Sequence, residues 1–324
     1  MTRSQLKRTI KPLLLKMTKG QRKALFSRRV VTHYPLRAEK AMQSVLTKLF
    51  SVYTKKVNNF FKNNKPLYAI YETALKRDSF ESDFEGFINE MASSLDEDQS
   101  LGLINGISLE VYVGRIMEFI RTFDEKELEL AFQKMFKMGL PYSDTWWTGL
   151  RSQLIDEFSR RSIGTVKAYL ADIRDEVLRG IRNEVPFEQL VLRIQQLGEG
   201  LSLKKAAFLA RDLTGKINGL FTKNLHSALG MTNYMFITAF DERVRGRPGG
   251  AFANAPVDHW SLDGKICSWS DSTIYSIDYG RTFIPREGRM LRLHPGMDWA
   301  CRCVASPWFQ DIFLELEREI RGGY

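Results

Sequence analysis

The chain is poor in the residues that build disulfides and many catalytic sites: three cysteines and four histidines in 324 residues. An odd cysteine count, with Cys301 and Cys303 one residue apart, is no disulfide framework, so a reducing compartment is the default expectation. Missing too is any uninterrupted apolar run near the ~20 residues that a membrane span needs. The N-terminus is basic from its start and has no long apolar core followed by a small-residue cleavage site, which argues against secretion. No P-loop, dinucleotide fingerprint, HExxH or GxSxG occurs, and no nucleophile stands beside a base. Internal repeats and low-complexity tracts are absent.

What is present is a marked asymmetry of charge. The formal net charge is +10. Residues 1–65 hold 17 of the 48 Lys and Arg and a single acid, Glu39, which leaves 31 bases against 37 acids in the remainder. A basic arm is attached to a mildly acidic body. Such an arm suits a polyanion or an acidic protein surface, and the plainer alternative is a solvated basic face. Its candidate contact residues are Arg3, Lys7, Arg8, Lys11, Lys16, Lys19, Arg22, Lys23, Arg28 and Arg29. Pro12 and Gly20 punctuate the segment, so a short amphipathic helix and an arm ordered on binding are both open. Leu13–Leu15 could touch a membrane surface, but the run is short.

Periodicity marks out helices further on. Val45, Leu49, Val52 and Val57 recur at near-helical spacing, and 64–100 reads as mixed, broken at Pro66, with a short helix near Phe84 and Met91. A helical pattern over 108–138 is interrupted at Phe123, where Asp124 and Glu127 read as the cap of a new helix closed by Gly139 and Pro141. The clearest stripe runs from Leu154 to Ile181 in steps of mostly three or four. Pro186 opens a further helix, and a third spans about Ser202–Leu229, with Gly230 as its C′ residue. Met231–Phe240 reads as a buried strand, followed by turn-rich, short-strand sequence and a short helix over Trp308–Arg321. The expected fold is α+β: a mostly helical N-terminal region, then a compact module of helices and short antiparallel strands. The expected divisions are a basic arm at 1–36, a helical region at 37–149, the module at 150–310, and a C-terminal helix and tail at 311–324.

One stretch gathers possible ligands, HPGMDWACRC from His294 to Cys303. With His259 it offers four candidate zinc ligands: His259, His294, Cys301 and Cys303. Zinc knuckles use two to four intervening residues between cysteines, whereas here there is one, and in a strand that spacing points the two Cβ atoms apart. Buried thiols in a small core, or a disulfide involving Cys267, are the alternatives, and no cofactor is required by the sequence. His33 has no partner nearby in sequence, and His226 reads as structural.

The stretches AAFLARDLTGKINGLFTKNLHSALGMTNYMFITAFDERVR, DHWSLDGKI and HPGMDWACRCVASP, in this order, resemble the phage Mu F-like minor head protein (head morphogenesis) family over roughly residues 150–310. The matching positions are Arg211, Asp212, Gly230, Tyr234, Thr238, Asp241, Arg243, Val244, Arg245, His259, Leu262, Gly264, Pro295, Gly296, Asp298, Cys301, Arg302, Cys303 and Pro307. A GRPGGAFANAPVD insertion before His259, and Phe236 where many members carry Trp, depart from the pattern. The resemblance implies a structural virion component in few copies rather than an enzyme. It implies a place inside the head near the portal after assembly in the host cytoplasm. Its partners would be the portal protein and packaged double-stranded DNA, bound without sequence readout, with the major capsid protein a further candidate. The motif residues then read as architectural: Asp241 or Asp263, near Gly264, pairing with Arg243, Arg245 or Arg302, and Asp298 serving inside the module, with Arg211 upstream. The rival class is a metal-dependent DNA-processing enzyme using Asp241, His259, Asp263 and His294.

Overall fold

The computed structural model describes residues 3–26, 31–69, 74–100, 103–104, 107–137, 139, 146–183, 185 and 187–321. In chain order the elements are α1 (Arg3–Leu15), α2 (Lys19–Phe26), α3 (Leu36–Ala69), α4 (Ala74–Ser100), β1 (Leu103–Ile104), β2 (Ile107–Ser108), α5 (Leu109–Phe136), α6 (Trp147–Arg182) and α7 (Phe187–Ala228). There follow β3 (Asn233–Ile237), a single 3-10 turn (Trp260–Leu262), β4 (Ile266–Ser268), β5 (Ile274–Ser276), β6 (Ile284–Pro285), β7 (Val304–Pro307) and α8 (Gln310–Arg321). The architecture is α+β, with helices dominating the N-terminal part. Two compact units divide the chain: Met1–Leu36, Met117–Leu150 and Asp212–Tyr324 form one, Arg37–Ile116 and Arg151–Arg211 the other.

In the second unit the core is aromatic. Phe60 and Phe61 of α3 meet Phe80, Phe84 and Phe87 of α4, with Phe60 stacked on Phe87 at 4.6 Å between centroids. Tyr169 of α6 packs edge-on against Phe50 at 5.4 Å. Here the structure corrects the sequence reading. Helix α3 runs on to Ala69, through Pro66, and α4 is a continuous helix of 27 residues rather than a broken segment. The contacts among these rings are long-range and are absent from any local window.

In the first unit a five-stranded antiparallel sheet has the order β6-β5-β4-β3-β7. Both faces of its centre are covered, so β3 is buried throughout and Tyr234–Ile237 is a continuous apolar run instead of an alternating one. Tyr234 and Phe236 point with Cys267, Ala305, Trp269 and Leu291 to one face. Met235 and Ile237 point with Ile266, Val304 and Trp308 to the other. Strand β3 is five residues long, half the expected run. Thr238 leaves the ladder and gives its N–H and hydroxyl to Asp263 Oδ1 at 2.8 and 3.0 Å. Gly264 then takes a left-handed φ of +70° and returns its N–H to Phe236 O at 2.8 Å.

Other local expectations divide. Gly230 ends α7 as read: its φ is +70°, its N–H bonds Ser227 O, and Met231 N–H bonds His226 O at 2.9 Å. This is the paired C-terminal pattern that favours glycine. Asp124 caps nothing. It lies inside the unbroken helix α5, buried, near Thr222 Oγ1 at 3.4 Å, and burial pushes its carboxyl well above the usual range. The helix over 202–229 proves to be the second half of a single 42-residue α7. Pro141 and Pro186 lie outside the described residues.

The N-terminal segment is folded helix in this unit. Leu6, Ile10 and Leu14 make one buried stripe on α1. Helix α1 packs on α8, whose Glu315 and Glu319 receive Lys7, while Lys11 reaches Glu319 at 3.3 Å. The bond to Glu315 raises the Lys7 pKa. Phe132 and Phe136 of α5, Phe309 just before α8 and Phe313 on it form a cluster of mostly edge-on and tilted rings with centroids 4.6 to 6.5 Å apart.

Candidate functional site

The loop His294–Cys303 lies directly on the backbone of α7. Two glycines one helical turn apart, Gly215 and Gly219, make this approach possible. A Cβ on Gly215 would stand 2.3 Å from Cys301 O, and one on Gly219 2.5 Å from Pro295 O. Gly296, at φ +78°, meets Gly215 in turn: its own Cβ would fall 2.2 Å from Gly215 O. Neighbouring polar groups pin the same loop. Asp212, 1% exposed, accepts the Ala300 N–H at 3.0 Å, and Lys216 holds Asp212 at 2.6 Å while lying 4.9 Å above the Trp299 ring.

At Ala300 the backbone turns through a left-handed φ of +48°, and 301–303 is not a strand. That changes the geometry expected of a one-residue cysteine spacing. Cys303 N–H reaches Cys301 Sγ at 3.4 Å, and both thiols face inward. Each sulfur lies 3.5 Å from His259 Nδ1. His259, Cys301 and Cys303 are 3%, 4% and 4% exposed. His259 itself is set by two backbone bonds, its own N–H and that of Trp260 to Arg245 O at 3.0 and 3.1 Å. On its far side Nε2 sits 2.8 Å from Asp298 Oδ2, which also takes Arg245, and Arg245 reaches on to Trp299 O at 2.8 Å.

The electrostatics follow from this packing. The Cys303 thiol at the Cys301 sulfur, together with the imidazole, holds Cys301 well below a free thiol, and the same pairing drives Cys303 up. Burial alone would press His259 down, but its bonds to Asp298 and Cys301 outweigh that and raise it to about 9. Asp298 is lowered because its bond to His259, a backbone N–H and Arg245 outweigh partial burial.

His294, grouped with these residues on sequence, stands elsewhere. Its Nδ1 is 3.0 Å from the Tyr234 hydroxyl, its ring packs on Trp269 and Tyr234, and burial brings it down to about 4. Cys267 is buried and free, between Tyr234 and Arg286, where burial raises its thiol. His226 accepts the Trp269 indole N–H at 3.3 Å, in keeping with a structural role. His33 bonds Glu127 at 2.8 Å.

The carboxylates serve local geometry. Asp241 accepts the Arg243 N–H at 2.9 Å and pairs with Arg302 at 3.4 Å. The Arg243 side chain is exposed. Asp263 bonds Thr238, and Arg245 pairs with Asp298. Arg211 pairs with Glu39 at 3.6 Å, within the other unit. Asp241, His259, Asp263 and His294 thus belong to separate hydrogen-bond systems. Among the described residues the one cluster of His, Cys, Asp or Glu fit to hold a metal is His259–Cys301–Cys303.

Of the basic residues, Arg8, Lys16 and Lys19 are exposed, Arg22 is half-buried, and Lys7 and Lys11 are engaged by α8. Arg28 and Arg29, and the side chains of Arg3 and Lys23, lie outside the described residues. Nothing in the linear pattern singled out Gly215, Gly219 or Ala300, whose importance rests on close approach and a backbone angle, or Arg286. Buried at 3% exposure, Arg286 bonds the carbonyls of Ile274, Leu291 and Leu293.

Residues 171–306 match the family model described as phage Mu protein F like protein. The chain is also similar to an uncharacterized protein of Haemophilus influenzae (strain ATCC 51907 / DSM 11121 / KW20 / Rd), 28% identical over 139 residues. That similarity covers 43% of this chain and 25% of the relative, so the chain spans about a quarter of the protein it matches. No solved structure matches. Among the described residues, no helix is long and apolar enough to cross a membrane.

Proposed function

We propose that the chain is a minor head protein of a tailed double-stranded DNA phage, because residues 171–306 match the phage Mu protein F like family, whose phage head morphogenesis proteins are structural rather than enzymatic. It acts near the portal vertex, in assembly of the head or in packaging or ejection of its DNA. The family match carries this reading, and the charge of the N-terminal segment refines it. Arg8, Lys16 and Lys19 present positive charge to solvent, which suits DNA phosphate or an acidic portal surface. Contact with phosphate of this kind needs no base readout and weakens with salt as counterions are released.

Deleting the segment is a poor test, because Leu6, Ile10 and Leu14 belong to the core. Charge reversal at the three solvent-facing positions tests the same idea without opening it. Wild-type protein is expected to shift duplex DNA of unrelated sequences with equal affinity. The triple variant Arg8→Glu, Lys16→Glu, Lys19→Glu is expected to bind more weakly, with the slope of log K against log salt reduced by up to roughly 3. Unchanged binding and slope would remove DNA from the proposal. Failure of the wild-type chain to associate with head or portal assemblies would remove the head protein reading itself.

A further inference from the structure

We propose that His259, Cys301 and Cys303 form a zinc site, with Nδ1 and the two thiolates as protein ligands and a water at the fourth vertex. This inference is independent of the proposed role in the phage head. It rests on geometry, charge and the second layer of contacts.

The geometry is that of one face of a tetrahedron. Zinc–sulfur and zinc–nitrogen bonds of about 2.3 and 2.05 Å at tetrahedral angles place sulfur and nitrogen about 3.6 Å apart. Both sulfur-to-Nδ1 separations here are 3.5 Å, and the three donor atoms all lie within 4.8 Å of one another. Three donors on two segments converge without any strand pairing between them, because the left-handed turn at Ala300 turns Cys301 toward His259.

Charge supplies the second argument. The cluster sits in an apolar core with Tyr234, Phe236, Leu262 and Ala305. An ion there is costly unless it is balanced on the spot. A divalent zinc with two thiolates and a neutral imidazole sums to zero. The Asp298–Arg245 pair behind them also sums to zero.

The surroundings are those that metal ligands require. Asp298 on Nε2 fixes the tautomer that leaves the Nδ1 lone pair facing the sulfurs, the carboxylate–histidine–metal arrangement. Backbone N–H groups point at the sulfurs: that of Cys303 at Cys301, and that of Ala239 at Cys303. Soft thiolates with an imidazole select zinc over magnesium or calcium. Among the described residues no fourth His, Cys, Asp or Glu joins the three, and His294 is held by Tyr234, so the fourth position falls to water.

The test uses the full chain, purified under reducing conditions without chelator. Elemental analysis is expected to find about one zinc per chain. Titration of metal-stripped protein with cobalt(II) is expected to give tetrahedral d–d bands and a thiolate-to-cobalt charge-transfer band that saturate together at one equivalent. Cys301→Ser and Cys303→Ser should each abolish the charge-transfer intensity or halve it, and Asp298→Asn should weaken cobalt binding by roughly 10- to 100-fold. Cys267→Ser and His294→Asn should leave the spectrum unchanged. A wild-type chain that holds no zinc and gives no cobalt spectrum overturns the proposal, whatever the variants do. So does a spectrum indifferent to both cysteine substitutions, or one lost in folded His294→Asn.

Discussion

Replacing Gly215 with alanine tests whether close backbone contact holds the His294–Cys303 loop. The substitution sits inside a helix, where alanine is favoured over glycine by about 1 kcal/mol. Against that gain, the new methyl would stand 2.3 Å from Cys301 O and 3.4 Å from Gly296 O. The first distance is about 1 Å short of ordinary contact. Both atoms are backbone, so no rotamer change relieves them, and Asp212 restrains the loop at Ala300. Overpacking costs about 1–3 kcal/mol, and so short an approach to rigid backbone belongs in the upper part of that range, about 2–3 kcal/mol, which outweighs the helix gain and leaves a net loss of about 1–2 kcal/mol. In a protein of this size that is a fall of roughly 2–8 °C in Tm. Gly164 on α6 is the internal control. It is exposed, and a methyl added there would meet nothing within 4 Å, so Gly164→Ala is expected to raise Tm by a few degrees through propensity alone. Calorimetry of both variants in the full chain gives the answer. If Gly215→Ala matches or exceeds wild-type stability, the loop is not held by this contact. If the zinc site is present, the same variant should also weaken cobalt binding, since the displaced carbonyl belongs to Cys301.

Two further outcomes follow from buried groups in the same unit. Burial pulls His226 down to about 3, so it stays neutral when folded but charges near 6.5 when unfolded. The stability it contributes is complete above pH 6.5 and is lost as pH falls toward 3, amounting to about 2 kcal/mol at pH 5. Asp124 faces the same small cavity with Glu127 and His33, and its raised carboxyl works in the opposite direction. The readout is therefore the change in stability between pH 7 and pH 5 in wild type minus that in His226→Gln. Equal changes in the two proteins would refute neutrality at His226. Arg286 holds three carbonyls with one rigid fork, so Arg286→Lys should lower stability by about 2 kcal/mol, because a point-like ammonium cannot reach all three. An unchanged urea midpoint in that variant would show that the carbonyls find other donors.

Much of the secondary structure was legible from local pattern. The stripe from Leu154 to Ile181 announced α6, and Gly230 marked the end of α7 because a left-handed C′ residue is a local demand. Asp124 misled for the converse reason. Its sequence surroundings satisfy the grammar of a helix cap, yet the chain continues as helix because that side is buried near Thr222. Pro66 likewise failed to end α3, where packing of Phe60 and Phe61 against α4 extends the helix. Of the charged pairs of the module, Asp241 with Arg302 is one that the sequence offered, whereas Asp263 takes a threonine and Arg245 takes Asp298.

By itself the sequence determined the α+β division, the basic N-terminal segment, the motif order that matches a phage head family, and the candidacy of His259, Cys301 and Cys303. These depend on composition, period and residue type, which a linear chain displays. Tertiary structure decided which candidates meet. It removed His294 to Tyr234, folded α1 of the basic segment onto acidic α8, and turned two cysteines with one residue between them toward a single imidazole. The reason is physical: direction is set by a backbone angle at Ala300 and by helix backbone bared at Gly215 and Gly219, and neither is encoded in the spacing of the ligands.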